Sequence, residues 1–113
     1  MSSRDDSLLL GDILEAVTKI LKYTQGMNYD TFIMDDKTID AVVRNFEIIG
    51  EASSRLSDSY KQSKNSIPWN RLKGFRNRLI HEYFGVDYLI LWTIVQDELE
   101  TLLKAIKREN PNE

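Results

Sequence analysis

Apolar residues return every three or four positions in four long segments of this chain, and no useful length of the alternating pattern of a strand occurs anywhere. From about Asp5 to Gln25 the recurring residues are Leu10, Ile13, Leu14, Val17, Ile20 and Leu21. After Thr38 they are Ile39, Val42, Val43, Phe46, Ile49, Ser53 and Leu56, with Gly50 inside the same sector. A third helix is expected from about Pro68 to Phe84. A fourth, opening after Asp87, carries Leu91, Trp92, Val95, Leu99, Leu102, Leu103 and Ile106. Four helices with one wide apolar stripe each must bury those stripes on one another, which predicts an all-α, antiparallel four-helix bundle.

The boundaries follow from capping chemistry. Ser3 is placed to cap the first helix and Gly26 to end it, with Asp5 and Asp6 in the first turn facing the positive end of the helix dipole. Met27 to Lys37 is expected to be a loop or a short extra helical turn, in which Tyr29, Phe32 and Ile33 plug the end of the core. Thr38 is the expected cap of the second long helix. Ser57 to Ile67, rich in serine, lysine and asparagine, is expected to hold a frayed helix end and a loop. Pro68 suits a first helical position, Gly85 a left-handed C-cap, Asp87 an N-cap, and Asn110-Pro111 a terminus. Gly50, in mid-helix, costs about 1 kcal/mol against alanine, which points to a close helix neighbour. The opposite side of that helix carries Asp40, Arg44, Glu47, Glu51 and Arg55, read as a solvated face with i,i+4 pairs Asp40–Arg44 and Glu51–Arg55.

A chain of 113 residues is the size of one domain, expected here to span 1–113. It has no cysteine and one histidine, so neither a disulfide framework, a thiolate zinc site nor a paired-histidine site can form within one chain; no cofactor or metal is expected. The longest nearly apolar run, Tyr88 to Val95, is too short for a bilayer, and the first residues lack a signal-peptide pattern, so a soluble cytoplasmic protein without membrane contact is expected. The net charge of −3 gives no long-range attraction to nucleic acid. Arg71, Lys73, Arg76 and Arg78, however, fall in a stretch free of acids, so an anion site would be local.

The third helix holds the residues that packing does not explain: Arg76, then His81, then Tyr83. With Arg76 at the origin of a helical wheel, Leu72, Leu79, Ile80 and Tyr83 lie within about 60°, so the arginine falls in the apolar sector. A buried guanidinium needs a carboxylate, with Glu47 and Glu51 available, or a cleft. Asn70, Gly74, Asn77 and His81 form a second stripe of small or polar residues flanked by Lys73 and Arg78, either the wet side of the helix or the floor of a groove. Arg76 and His81 are separated by about 140° and ~7.5 Å of rise. They can converge if the helix loosens before Gly85 or, as favoured here, if a homodimer builds a composite cleft. A histidine titrating near neutrality can take the proton of a ribose 2′-hydroxyl while an arginine stabilises charge on the attacked phosphate. The structural alternative is a surface histidine beside a paired core arginine and a core tyrosine.

The run Arg76-Asn77-Arg78-Leu79-Ile80-His81-Glu82-Tyr83-Phe84 resembles the RxxxxHxY signature of the HEPN superfamily, specifically its HepT-type toxins. Ala41-Val42-Val43-Arg44-Asn45, Ile48-Ile49-Gly50-Glu51-Ala52, Ile67-Pro68-Trp69 and Val86-Asp87 with Trp92 are similar to further blocks of that family, so the resemblance covers roughly Leu8 to Lys104. Glu100 departs from it, standing where a proline is expected after Asp97-Glu98-Leu99. The resemblance implies a homodimeric, metal-independent endoribonuclease acting on RNA, the toxin of a toxin–antitoxin pair whose antitoxin is a minimal nucleotidyltransferase. It makes Arg76 and His81 the catalytic pair, Tyr83 the residue silenced by adenylylation, and Asn77, Arg78 and Lys73 supporting or RNA-binding residues. The competing reading is a non-catalytic helical dimer that binds a nucleotide or a nucleotidyltransferase.

Overall fold

The described residues form seven helices. A computed structural model describes residues 5–81 and 87–109, and the side chains of 5–75 and 87–109. In order the helices are α1 Asp6–Thr24, α2 Tyr29–Ile33, α3 Asp36–Arg55, α4 Asp58–Ser63, α5 Trp69–His81, α6 Tyr88–Asp97 and α7 Leu99–Glu109, with no strand among the described residues. The architecture is the expected all-α bundle: α3 packs against α1 and α5, α1 also against α7, and α6 lies on α7 and α2. Ser57, just past α3, donates its backbone N–H (3.1 Å) and hydroxyl (2.7 Å) to Asp6 at the start of α1, so these two helices run antiparallel. Glu109 at the end of α7 receives hydrogen bonds from Ser66, before α5, which sets α5 and α7 antiparallel as well.

The apolar stripes meet in one core. Leu10, Ile13, Val17 and Ile20 of α1 are fully or almost fully buried with Val42, Phe46 and Ile49 of α3, Leu72 of α5 and Leu99 and Ile106 of α7. Gly50 is buried in the same sector of α3. The short helix α2 is closed by a reciprocal capping box between Asn28 and Thr31, and it delivers Phe32, fully buried, against Trp92 of α6 at 4.9 Å between ring centroids. That is the plug expected between the first two long helices. Gly26 sits at φ 79 in the turn after α1, where Met27 N–H donates to the Thr24 carbonyl at 3.0 Å. A positive φ at the third position of such a turn is the type II geometry that selects glycine.

Several boundaries differ from those expected. Asp5, not Ser3, caps α1 by accepting from Ser7 N–H at 2.8 Å; Ser3 lies outside the described residues. Asp35, not Thr38, caps α3, accepting from the Thr38 N–H at 3.1 Å. The polar stretch after α3 is not simply loop: Ser57 caps the additional helix α4. The fourth long helix is broken. At Glu98, with φ −121 and ψ −32, α6 ends and α7 restarts, whereas Asp87 caps α6 as expected through Leu89 and Ile90 N–H at 3.0 and 3.2 Å. Gly85, Asn110 and Pro111 lie outside the described residues. No helix among the described residues is long and apolar enough to cross a membrane.

Candidate active site

The helix that carries the motif is held by its first two turns. Pro68 precedes α5 and its carbonyl accepts from Leu72 N–H at 3.2 Å, while the Trp69 indole donates to the carbonyls of Lys61 and Lys64 at 3.0 and 3.2 Å, closing the end of α4 against the start of α5. Leu72 and Phe75 are buried, and Phe75 meets Phe46 of α3 edge to face, with centroids 5.2 Å apart and planes at 76°. These contacts turn the apolar sector of α5 towards α3.

The other side of α5 is open. Asn70 and Lys73 are exposed and Gly74 is half-buried, and a Cβ placed on Gly74 would meet nothing within 4 Å. A hollow of 260 Å³ lies there, lined by Asn70, Arg71, Gly74 and Phe75. The first half of the small polar stripe is therefore solvent-facing and concave. The helical backbone continues through positions 76, 77, 78 and 81. The side chains of Arg76, Asn77, Arg78 and His81, and Tyr83 altogether, lie outside the described residues, as does any pairing of Arg76 with Glu47 or Glu51. On α3, the expected Glu51–Arg55 pair is present at 3.2 Å.

The local charge differs from its sequence appearance in one respect. Arg71 is neutralised: its Nε and Nη2 donate to Glu98 Oε1 and Oε2, both at 2.5 Å, across to the break between α6 and α7. The hydrogen bonds to Glu98 and its negative charge hold the guanidinium still more firmly in its charged form. Sequence spacing carries no sign of this pair, because its members are 27 positions apart and neither belongs to an apolar stripe. Between α5 and α7 lies a second hollow of 340 Å³, with Leu72, Phe75, Leu102 and Ala105 on its walls and Arg71 and Glu98 at its edge. Among the described residues, no group of three acidic or histidine side chains is placed to hold a metal ion.

A model of the family described as Ribonuclease HepT-like matches residues 13–109, from the second turn of α1 to the end of α7. The chain belongs to the HepT-like ribonuclease family. A protein of Methanocaldococcus jannaschii provisionally named an RNase is 38% identical to this HepT-like chain over 107 residues, covering 95% of it and 98% of the relative. A Thermococcus cleftensis protein provisionally named ribonuclease HepT is 41% identical over 93 residues, covering 82% and 84%. A relative from Caldanaerobacter subterraneus, also provisionally named an RNase, is 36% identical over 98 residues, covering 87% and 88%. No solved structure matches the chain. The resemblance read from the motif and its flanking blocks thus holds at the level of the family, and the HepT-like protein is a ribonuclease with an all-α fold.

Proposed function

We propose that this HepT-like ribonuclease is the toxin of a toxin–antitoxin pair: a cytoplasmic, metal-independent endoribonuclease, folded as one domain over 1–113 and acting as a homodimer, with Arg76 and His81 as its catalytic pair. The observation that carries the reading is the family match across 13–109, which includes the Arg76–His81–Tyr83 spacing on and just after α5. The open polar side of α5 at Asn70 and Gly74 supports it.

In this reading His81 accepts the proton of a ribose 2′-hydroxyl, the 2′-oxygen bonds to the adjacent phosphorus, and the bond from phosphorus to the 5′-oxygen breaks. Arg76 stabilises the charge on the phosphoryl oxygens, and the leaving 5′-oxygen takes a proton from the imidazolium or from water. The products are a 2′,3′-cyclic phosphate and a 5′-hydroxyl. Lys73, Asn77 and Arg78 hold the phosphate chain beside the pair. A minimal nucleotidyltransferase transfers the adenylyl group of ATP to the Tyr83 hydroxyl, two residues beyond His81, the bond from the α-phosphorus breaking to release pyrophosphate, and the added anionic nucleotide neutralises and covers the cleft.

The test is cleavage of RNA by purified protein in the presence of a chelator, comparing wild type with His81→Ala and with Arg76→Ala, each checked for folding by circular dichroism. Cyclic-phosphate ends from the wild type and their loss in His81→Ala are expected. Equal cleavage by all three proteins sinks the mechanism. Binding of a nucleotide or a nucleotidyltransferase by a protein that cuts no RNA establishes the non-catalytic alternative. Mass spectrometry after co-expression with a nucleotidyltransferase tests for the added adenylyl mass on Tyr83.

A further inference from the structure

The pair Arg71–Glu98 has a geometry and a location that its surface exposure does not explain. Two parallel N–H···O bonds of 2.5 Å fix both the distance and the angle between the guanidinium and the carboxylate, which a single contact to lysine would not. Arg71 is the third residue of α5. Glu98 is the single residue between α6 and α7, off the helical conformation. From Arg71 the axis of α5 rises about 15 Å over the ten steps to His81. The ion pair thus joins the start of the motif helix to the break between α6 and α7.

The two sides of the fork are anchored to different parts of the bundle. α5 is fixed to α3 through Phe75 and Phe46, and α6 to α2 through Trp92 and Phe32. Further polar ties at this end lie before α5, from Lys64 and Ser66 to Glu109 at the far end of α7, so the fork is the tie that reaches the α6–α7 break. Beneath the fork lies the 340 Å³ hollow rather than close packing, so on this side of α5 the fork stands in for side-chain packing.

On the reading that Arg76 and His81 catalyse RNA cleavage, we propose that Arg71 and Glu98 are a positioning pair for the ribonuclease site. Their fork sets the placement of α5 against the α6–α7 break and so the placement of positions 76 and 81. Neither residue touches the reacting atoms. The pair acts through the rigid helix between the fork and the site.

The experiment uses the full chain and two readouts. His81 is the chain's only histidine, so its imidazole C–H signals in a proton NMR spectrum are assigned without ambiguity and report its surroundings whether or not RNA is cut. Arg71→Gln and Glu98→Gln are each expected to lower kcat by roughly tenfold at little-changed KM, because ångström-scale misplacement of reacting groups costs rate steeply. Both variants should shift the His81 signals and their titration midpoint while leaving the thermal midpoint close to wild type. Arg71→Lys, which supplies charge without a fork, should not restore the rate, whereas the reversed pair Arg71→Glu with Glu98→Arg should recover both the rate and the His81 spectrum. The proposal is overturned if both glutamine variants keep wild-type kcat and wild-type His81 signals. It is equally overturned if Arg71→Gln raises KM while Glu98→Gln changes nothing, which makes Arg71 an RNA contact. If His81→Ala cuts RNA as well as wild type, the catalytic assignment fails, and the His81 spectra still decide whether the fork places α5.

Discussion

Replacing Phe75 by alanine should release the motif helix from the bundle. The ring is buried, one position before Arg76, and meets the fully buried Phe46 ring edge to face at 5.2 Å. Phenylalanine-to-alanine changes at such sites cost about 3–5 kcal/mol, from lost transfer energy and the cavity left behind. The edge-to-face contact itself accounts for about 0.5–1.5 kcal/mol of that. Against a total stability of about 5–15 kcal/mol for an ordinary domain, this is a large share. Urea unfolding followed by circular dichroism at 222 nm reads it directly: with a slope of about 1.5 kcal/mol per molar, the midpoint should fall by about 2–3 M. A double-mutant cycle with Phe46→Leu and Phe75→Leu isolates the ring contact and should give a coupling of about 0.5–1.5 kcal/mol. A loss below about 1 kcal/mol in Phe75→Ala, or additivity within about 0.3 kcal/mol in the cycle, would refute the claim that this pair fixes α5 on α3.

Asp87 accepts from two backbone N–H groups at the start of α6, so Asp87→Ala should cost about 1 kcal/mol, seen as a fall of roughly 4 °C in Tm, while Asp87→Asn should retain most of the stability. The Ser66 hydroxyl holds the Glu109 carboxyl below its ordinary value of 4.5, helped by the Ser66 N–H and by Lys64 and Arg108 and opposed by slight desolvation. A lowered folded-state value means that this contribution is present above pH 4.5 and is lost as pH falls through the lowered value. Ser66→Ala should therefore be less stable than wild type near neutrality and converge with it in acid. Urea midpoints measured from about pH 3 to about pH 7 check this, and a pH-independent difference would contradict it.

Much of this fold is legible in the sequence because burial imposes periodicity. Ile39, Val42, Phe46, Ile49, Ser53 and Leu56 are buried where their spacing places them, and Asp87 caps where its position suggests. The caps of α1 and α3 differ from those the sequence suggests for a shared reason: an acceptor side chain lies two or three residues to one side of Ser3 and of Thr38, and aspartate competes with serine and threonine on nearly equal terms. Helix α4 escaped because it buries none of its residues and so leaves no apolar period to detect. The motif was legible for the opposite reason, since its residue types fit no packing role. Its family was reached by resemblance of the motif and its flanking blocks, whereas the Arg71–Glu98 pair that ties its helix to the α6–α7 break was not visible, because tertiary pairing of two groups 27 positions apart leaves no local pattern.

The break at Glu98 shows how local and tertiary constraints meet near the site. Val95, Leu99 and Leu102 are all buried, so the apolar stripe passes through the break without interruption and no hydrophobic signal marks it. The helical hydrogen bonds stop at Glu98 N–H to Ile94 and restart at Leu102 N–H to the Glu98 carbonyl, each 3.0 Å, so Glu98 acts as the last cap of one helix and the first of the next. Glu100 then falls in the first turn of α7. There a backbone N–H has no partner within its helix, so a proline loses nothing by lacking one, and an acid gains from the positive end of the helix dipole. Glu100 is therefore compatible with a helix that restarts at Leu99. At the break, the Glu98 side chain leaves from a non-helical residue and reaches across to Arg71 on α5. The same fork compensates the charge of Arg71, so on the proposed reading attraction of an RNA backbone by a chain of net charge −3 would fall on exposed Lys73 and on the arginines that follow it in sequence.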